Sequence, residues 1–259
     1  MISFSANLGF LWSDLSLPDA IRAAADAGFD AVECHWPYTF PAADVRAALD
    51  ETGLPMLGLN TIRGDTASGE NGLAAIPGRE SEAKAAIDQA VDYAVAVGAG
   101  SVHVMAGVAD GSQAEATFEA NLKYACQRAE AHGLTILIEP LNPVDAPGYF
   151  LRTTQQAQAV INAVGSDRLK LMYDCYHVAR TEGGVISRLE QLMPIIGHVQ
   201  FASVPDRGPA DEGELDYRDV FKKLIDLGWK RPIGAEYKPK GPTSDSLGWM
   251  SMKHLSNGD

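Results

Sequence analysis

The chain has 259 residues, close to the usual size of one α/β barrel, and a chain this long hides roughly 70–75% of its unfolded surface without disulfides or a partner. A formal net charge of −13 repels phosphate backbones and anionic lipid, so no nucleic-acid or membrane partner is expected; an anionic substrate must be drawn in by local cations or a metal. The three cysteines, Cys34, Cys126 and Cys175, show no C-x-x-C spacing and sit in or beside apolar runs, as core thiols of a reducing compartment do.

Met1 leads directly into Ile-Ser-Phe-Ser-Ala-Asn-Leu, with neither the basic region nor the apolar core of a leader, so a cytoplasmic protein is expected. Short β-branched runs then alternate with longer alanine-rich segments of helical period, the pattern of parallel βαβ units. Strands are predicted at 2–8, 31–34, 55–59, 101–105, 135–139, 169–174, 198–201 and 232–236. Helices are predicted at 17–27, 42–51, 80–97, 113–132, 153–164, 185–192 and 217–227, with a short one at the C-terminus. Gly28, Gly53, Gly98, Gly133 and Gly228 stand where a left-handed residue would end a helix before the next strand. Eight strands with intervening helices imply a single (β/α)₈ barrel domain over 1–259; no glycine-rich dinucleotide fingerprint follows the first strand. Residues 60–79 carry four interior glycines and no clear element; a loop this long in a compact barrel is expected to be a lid or substrate-contacting flap, with a surface insertion as the alternative.

Barrel enzymes place their chemistry at the C-terminal ends of strands. Strand five ends in Glu139, strand six in Asp174, strand seven carries Gln200 and strand eight ends in Glu236. Three carboxylates crowded at one rim repel one another unless a cation sits among them, and carboxylate and amide oxygens are hard ligands suited to Mg²⁺ or Mn²⁺. His177, three residues after Asp174, can donate to a substrate oxygen or orient a ligand. Arg207, in the loop after strand seven, can match a carboxylate bidentately. His103 and His35 lie near other strand ends, where a site role and a core role are about equally open, whereas His132 reads as a helix-end cation.

The segments Glu139-Pro-Leu-Asn with Pro147-Gly-Tyr-Phe-Leu, Tyr173-Asp-Cys-Tyr-His, His198-Val-Gln-Phe-Ala and Gly234-Ala-Glu-Tyr-Lys-Pro resemble the hydroxypyruvate isomerase family within the xylose isomerase-like TIM barrels. The resemblance runs along nearly the whole chain, through Ser5-Ala-Asn-Leu, Pro77-Gly-Arg-Glu and His103-Val-Met-Ala-Gly. It implies Glu139, Asp174, Gln200 and Glu236 as ligands of one divalent metal, Mg²⁺ or Mn²⁺, with Glu139 and Glu236 as the proton-transfer pair. It also implies substrate contacts from Asp145, His177 and Arg207, and His103 joins them as a candidate. The expected reaction moves a proton between neighbouring carbons of a small hydroxy-keto acid through an enediolate, as in hydroxypyruvate to tartronate semialdehyde.

Two departures from the family pattern fall near the substrate end: Gly208-Pro-Ala follows Arg207 in place of His-Glu-Pro, and Ala179 stands where glutamine is common. They leave 2-oxo-tetronate isomerisation and 3-epimerisation of a ketose open as alternative activities. Phosphodiester cleavage on the same barrel type, and a barrel that only binds small molecules, are the rival classes. A homo-oligomer, packed through exposed apolar helices such as the alanine-rich third, is also left open.

Overall fold

Strand and helix segments alternate along residues 2–255, the part of the chain that the computed structural model describes. The strands are β1 (Phe4–Asn7), β2 (Ala31–Glu33), β3 (Gly58–Asn60), β4 (Ser101–His103), β5 (Thr135–Ile138), β6 (Leu169–Asp174), β7 (Ile196–Phe201) and β8 (Ile233–Ala235). Seven neighbouring pairs are parallel, in the order β2-β1-β8-β7-β6-β5-β4-β3. The last seam, between β2 and β3, is closed by backbone bonds from Val32 N to Pro55 O (3.0 Å), Leu57 N to Val32 O (2.7 Å) and Cys34 N to Gly58 O (3.1 Å). The strand predicted at 55–59 is thus split between an isolated bridge at Met56 and β3 proper.

The helices α1 (Leu17–Asp26), α2 (Ala42–Thr52), α3 (Glu80–Val97), α4 (Gly111–Glu130), α5 (Thr154–Val164), α6 (Cys175–Thr181), α7 (Val185–Leu192) and α8 (Tyr217–Asp226) wrap the strands. Side-chain oxygens of Ser16, Thr153 and Asp216 accept from the backbone of the first turn and start α1, α5 and α8. All five glycines expected after helices have positive φ, between 70° and 85°. The alanine-rich α3 turns Ala83, Ala86, Ala90 and Ala94 inward, where small side chains let it lie close against the barrel. The short C-terminal helix is a 3₁₀ segment, Gly248–His254, whose Trp249 is fully buried. No helix among the described residues is long and apolar enough to cross a membrane.

Side chains alternate along each strand, so odd and even positions meet different surroundings. Phe4 of β1 and Phe201 of β7 point outward and pack on Phe221 of α8 and on Trp249, with ring centroids 5.0–5.8 Å apart. Their neighbours Asn7, His198 and Gln200 line a small cavity of about 20 Å³ inside the barrel, together with Glu33, Gly58, Asn60, Ser101 and His103. The interior of the barrel is therefore polar toward the C-terminal rim.

Candidate active site

Glu139 follows β5, Asp174 ends β6, Gln200 lies in β7 and Glu236 follows β8; all four are buried, with 1–5% of their surface exposed. One oxygen each from Glu139, Asp174 and Glu236 lies within 4.8 Å of the others and of a ring nitrogen of His177. The guanidinium of Arg207 sits beside them, with Nη2 2.5 Å from Glu236 Oε2 and 3.7 Å from Asp174 Oδ2. Glu139 Oε1, Asp174 Oδ2 and Gln200 Oε1 are buried without a hydrogen-bond partner. An unsatisfied buried acceptor costs about 1–3 kcal/mol, and the two carboxylate oxygens, 3.8 and 3.6 Å from His177 Nε2, fit a hard divalent cation that would take them as ligands.

His177 differs from the carboxylates beside it in that its hydrogen bonding is partly settled by the backbone. Its Nδ1 accepts the backbone N–H of Asn142 at 3.0 Å, which places the ring proton on Nε2. That N–H stands 3.6 Å from Asp174 Oδ2 and 3.8 Å from Glu139 Oε1. A nitrogen that keeps its proton donates and does not ligate. Gln200 Nε2 donates to Glu33 Oε1 at 2.8 Å, which turns its amide oxygen away from Glu33.

The electrostatics follow from burial and crowding. Burial, then repulsion from Glu236 and Asp174, holds the Glu139 carboxyl well above the usual carboxylate range. Burial and Glu236 push Asp174 up to about 7, against the pull of Arg207. Glu236 is also buried, yet Arg207 and His35 outweigh that cost and hold it below the usual range. Burial lowers His103 to about 4 and His177 to about 3, so both rings are neutral near pH 7.

Arg207 is a non-glycine residue at φ 55°, in the left-handed region that costs roughly 1–2 kcal/mol. Four backbone-anchored bonds hold it there: Arg207 N to Ser203 O (2.9 Å), Ser203 N to Gly208 O (2.8 Å), Gly208 N to Ser203 Oγ (3.0 Å) and Lys238 N to Arg207 O (2.7 Å). The guanidinium is thereby aimed inward, over the rings of Phe10 and Tyr176.

A pocket of about 270 Å³ opens above the cluster, lined by Glu139, Glu236, His103, His177, Asp145 and Arg207 together with Phe10, Trp36, Arg63 and Asn71. Asp145 accepts from Tyr176 Oη at 2.8 Å and lies 3.8 Å from Arg207 Nη1. Both ring nitrogens of His103 are buried and unpartnered, with Nδ1 3.7 Å from Glu139 Oε2. Gln200 lines the interior cavity instead, which shares Asn60 and His103 with the pocket. Sequence reasoning left out Asn7, whose amide donates to both Glu33 and Glu236 at 3.0 Å, and Glu33 itself. It left His35 undecided, and the structure puts its Nε2 3.0 Å from Glu236 Oε1. Asn7 and Glu33 end β1 and β2, the same signal that singled out the other four.

A closed parallel barrel with titratable side chains of split proton affinity gathered at its C-terminal rim is a barrel enzyme. Residues 21–252 match the family model described as Xylose isomerase-like TIM barrel. The chain belongs to that family, and its curated relatives over nearly the full length of both chains make it an isomerase. It is 43% identical to the 2-oxo-tetronate isomerase of Cupriavidus necator, over 96% of this chain and 98% of the relative. It is 36% identical to the hydroxypyruvate isomerase of Escherichia coli, over 96% and 98%. Among solved structures it superposes with a TM-score of 0.94 on a protein from Brucella melitensis titled AP endonuclease, family 2, at 36% identity over 99% of this chain and 100% of that one.

Proposed function

We propose that the protein isomerises a three- or four-carbon 2-oxo acid with a hydroxyl on the adjacent carbon, hydroxypyruvate or 2-oxo-tetronate, by moving a proton from C3 to C2. The observation that carries this reading is the convergence of Glu139 and Glu236, on separate strands, upon one buried cluster at the floor of a small pocket. One glutamate removes the proton from C3, an enediolate forms, and the other returns a proton to C2. The hydroxyl proton leaves O3 and O2 gains one, so the carbonyl passes from C2 to C3 with no net change in atoms. The Nε2–H of His177 and the ring of His103, whose nitrogens are buried without a partner, would hold the two substrate oxygens. Arg207 balances the carboxylates and, with Asp145, contacts the substrate's polar end.

Glu139, Asp174, Gln200 and Glu236 are the residues that would hold Mg²⁺ or Mn²⁺. When bound, such an ion supplies Lewis-acid stabilisation of the charge that develops on oxygen. Both the acidic net charge and the names of the curated relatives favour a small acid over a phosphodiester backbone. Three free, buried thiols support a reducing compartment such as the cytoplasm.

The test is a Mn²⁺-supplemented assay on hydroxypyruvate, 2-oxo-tetronate and uncharged ketoses, followed by proton NMR in D₂O. Deuterium should enter at C2, and Glu139→Gln and Glu236→Gln should each lower turnover by about 10²–10⁴-fold. A variant that keeps near-normal turnover removes its residue from the proton-transfer role, and product formed without deuterium removes the enediolate.

A further inference from the structure

We propose that Arg63 is the carboxylate-recognising residue of this pocket, the side chain that selects a keto acid over an uncharged ketose; this rests on the keto-acid reading above. An anionic substrate approaching a protein of net charge −13 needs a cation that is not already engaged. Arg207 is engaged, with carboxylates of Glu236, Asp174 and Asp145 all within 3.8 Å of its terminal nitrogens. Arg63 lines the same pocket and makes no salt bridge among the described residues. Its Nε donates to Asn71 Oδ1 at 2.9 Å, and its guanidinium lies 5.1 Å from the Trp36 ring centroid. Those two contacts orient the plane and leave the two terminal NH₂ groups without a partner among the described residues, which is the edge that grips a carboxylate with paired bonds.

The platform beneath Arg63 is fixed in advance. Trp36 Nε1 donates to Thr61 O at 3.1 Å, which seats the ring, and Trp36 is otherwise one of the few large apolar side chains left exposed. Arg63 O accepts from Gly72 N at 2.8 Å, and Ala74 N and Ala75 N donate to Met105 O and Ala106 O at 3.2 and 2.7 Å. A Cβ at Gly72 would lie 2.5 Å from Met105 O, so only glycine lets the loop come this close to the rim. The 60–79 loop, bonded to the rim at Ala74 and Ala75, thus brings one unengaged cation to the pocket wall, and a ketose without a carboxylate would leave that cation unpaired.

The experiment measures equilibrium binding of glycerate, and of glycerol as its uncharged counterpart, to the Mn²⁺-loaded enzyme by calorimetry, with KM and kcat for the keto acids measured in parallel. Arg63→Met should weaken glycerate binding and raise KM by about 10–100-fold while kcat falls far less, and Arg63→Lys should recover part of the loss. Arg46→Met, which removes an exposed charge on α2 outside the pocket lining, should match the wild type and so exclude a general field effect. Glycerate binding within twofold of wild type in Arg63→Met, or no preference for glycerate over glycerol in the wild type, overturns the assignment. Should the wild type turn over no keto acid yet bind glycerate through Arg63, the carboxylate subsite stands and the isomerase substrate proposed above falls.

Discussion

Glu33 accepts four hydrogen bonds: Asn7 Nδ2 at 3.0 Å and Gln200 Nε2 at 2.8 Å on Oε1, Ser5 Oγ at 3.2 Å and His198 Nε2 at 2.5 Å on Oε2. Burial raises its proton affinity, yet His198 and Gln200 outweigh that and hold the carboxyl ionised. Because Asn7 also donates to Glu236 and Gln200 pairs with Asp174 across β7 and β6, Glu33 orients two groups beside the carboxylate cluster. Glu33→Gln keeps the shape but leaves one NH₂ facing donors where an oxygen accepted them. The expected outcome is a loss of about 1–3 kcal/mol of stability by chemical denaturation and a Mn²⁺ affinity weakened roughly 10–100-fold by calorimetry. Unchanged Mn²⁺ affinity alongside the stability loss would leave Glu33 with a purely structural part.

At the scale of the strand, the period of two puts Gly234 of β8 in the inward row, paired with Gln200 of β7 and with Ser5 of β1. A Cβ built there would lie 2.7 Å from Glu33 Oε1 and 2.8 Å from Gln200 Cγ, so the missing side chain is the space through which Glu33 reaches its partners. Gly234→Ala should therefore cut Mn²⁺ affinity and kcat by about 10-fold or more at a melting temperature lowered by only a few degrees, checked by calorimetry and scanning fluorimetry. The same alternation made Glu139, Asp174, Gln200 and Glu236 readable in the chain, because an apolar run meets a polar residue where β5 to β8 reach the rim. Asn7, Glu33, Asn60 and His103 end β1 to β4 in the same way, but Ser5, Gly58 and Ser101 interrupt the apolar run in three of those strands, so the contrast is faint. Helix α6 was missed for a related reason: seven residues long and capped by Asp174 itself, it reads as a continuation of β6. Arg63 was not readable at all, since the loop has no period and its fit depends on backbone bonds to Met105 and Ala106 far along the chain.

Taken as a whole, the molecule gathers four buried carboxylates, Glu33, Glu139, Asp174 and Glu236, at one end of a barrel whose surface is already acidic. Without a bound cation, folding forces Glu139 and Asp174 together, and their carboxyls take up protons more readily than in the unfolded chain: Asp174 moves from 3.8 to about 7, Glu139 well above 4.5. The folded state then binds the extra protons, so stability falls as pH rises from about 4 through about 7 as Asp174 ionises, and Glu139 adds to the loss as it ionises in turn. Glu236 acts in the opposite sense, since Arg207 holds it low and its contribution is lost only as pH drops below its usual range. Between pH 5 and 8 the raised pair governs, and the melting temperature of chelator-treated protein should decline across that interval. A divalent ion must displace those protons, so its affinity should weaken as pH falls through about 7. At 100 times Kd an ion adds about 2.7 kcal/mol, roughly 5–10 °C in a domain of this size. Thermal melts with fixed Mn²⁺ should therefore show a rise of that order at pH 8 that shrinks by at least half at pH 5.5, whereas an increment independent of pH would mean that the ion binds somewhere other than among these carboxylates.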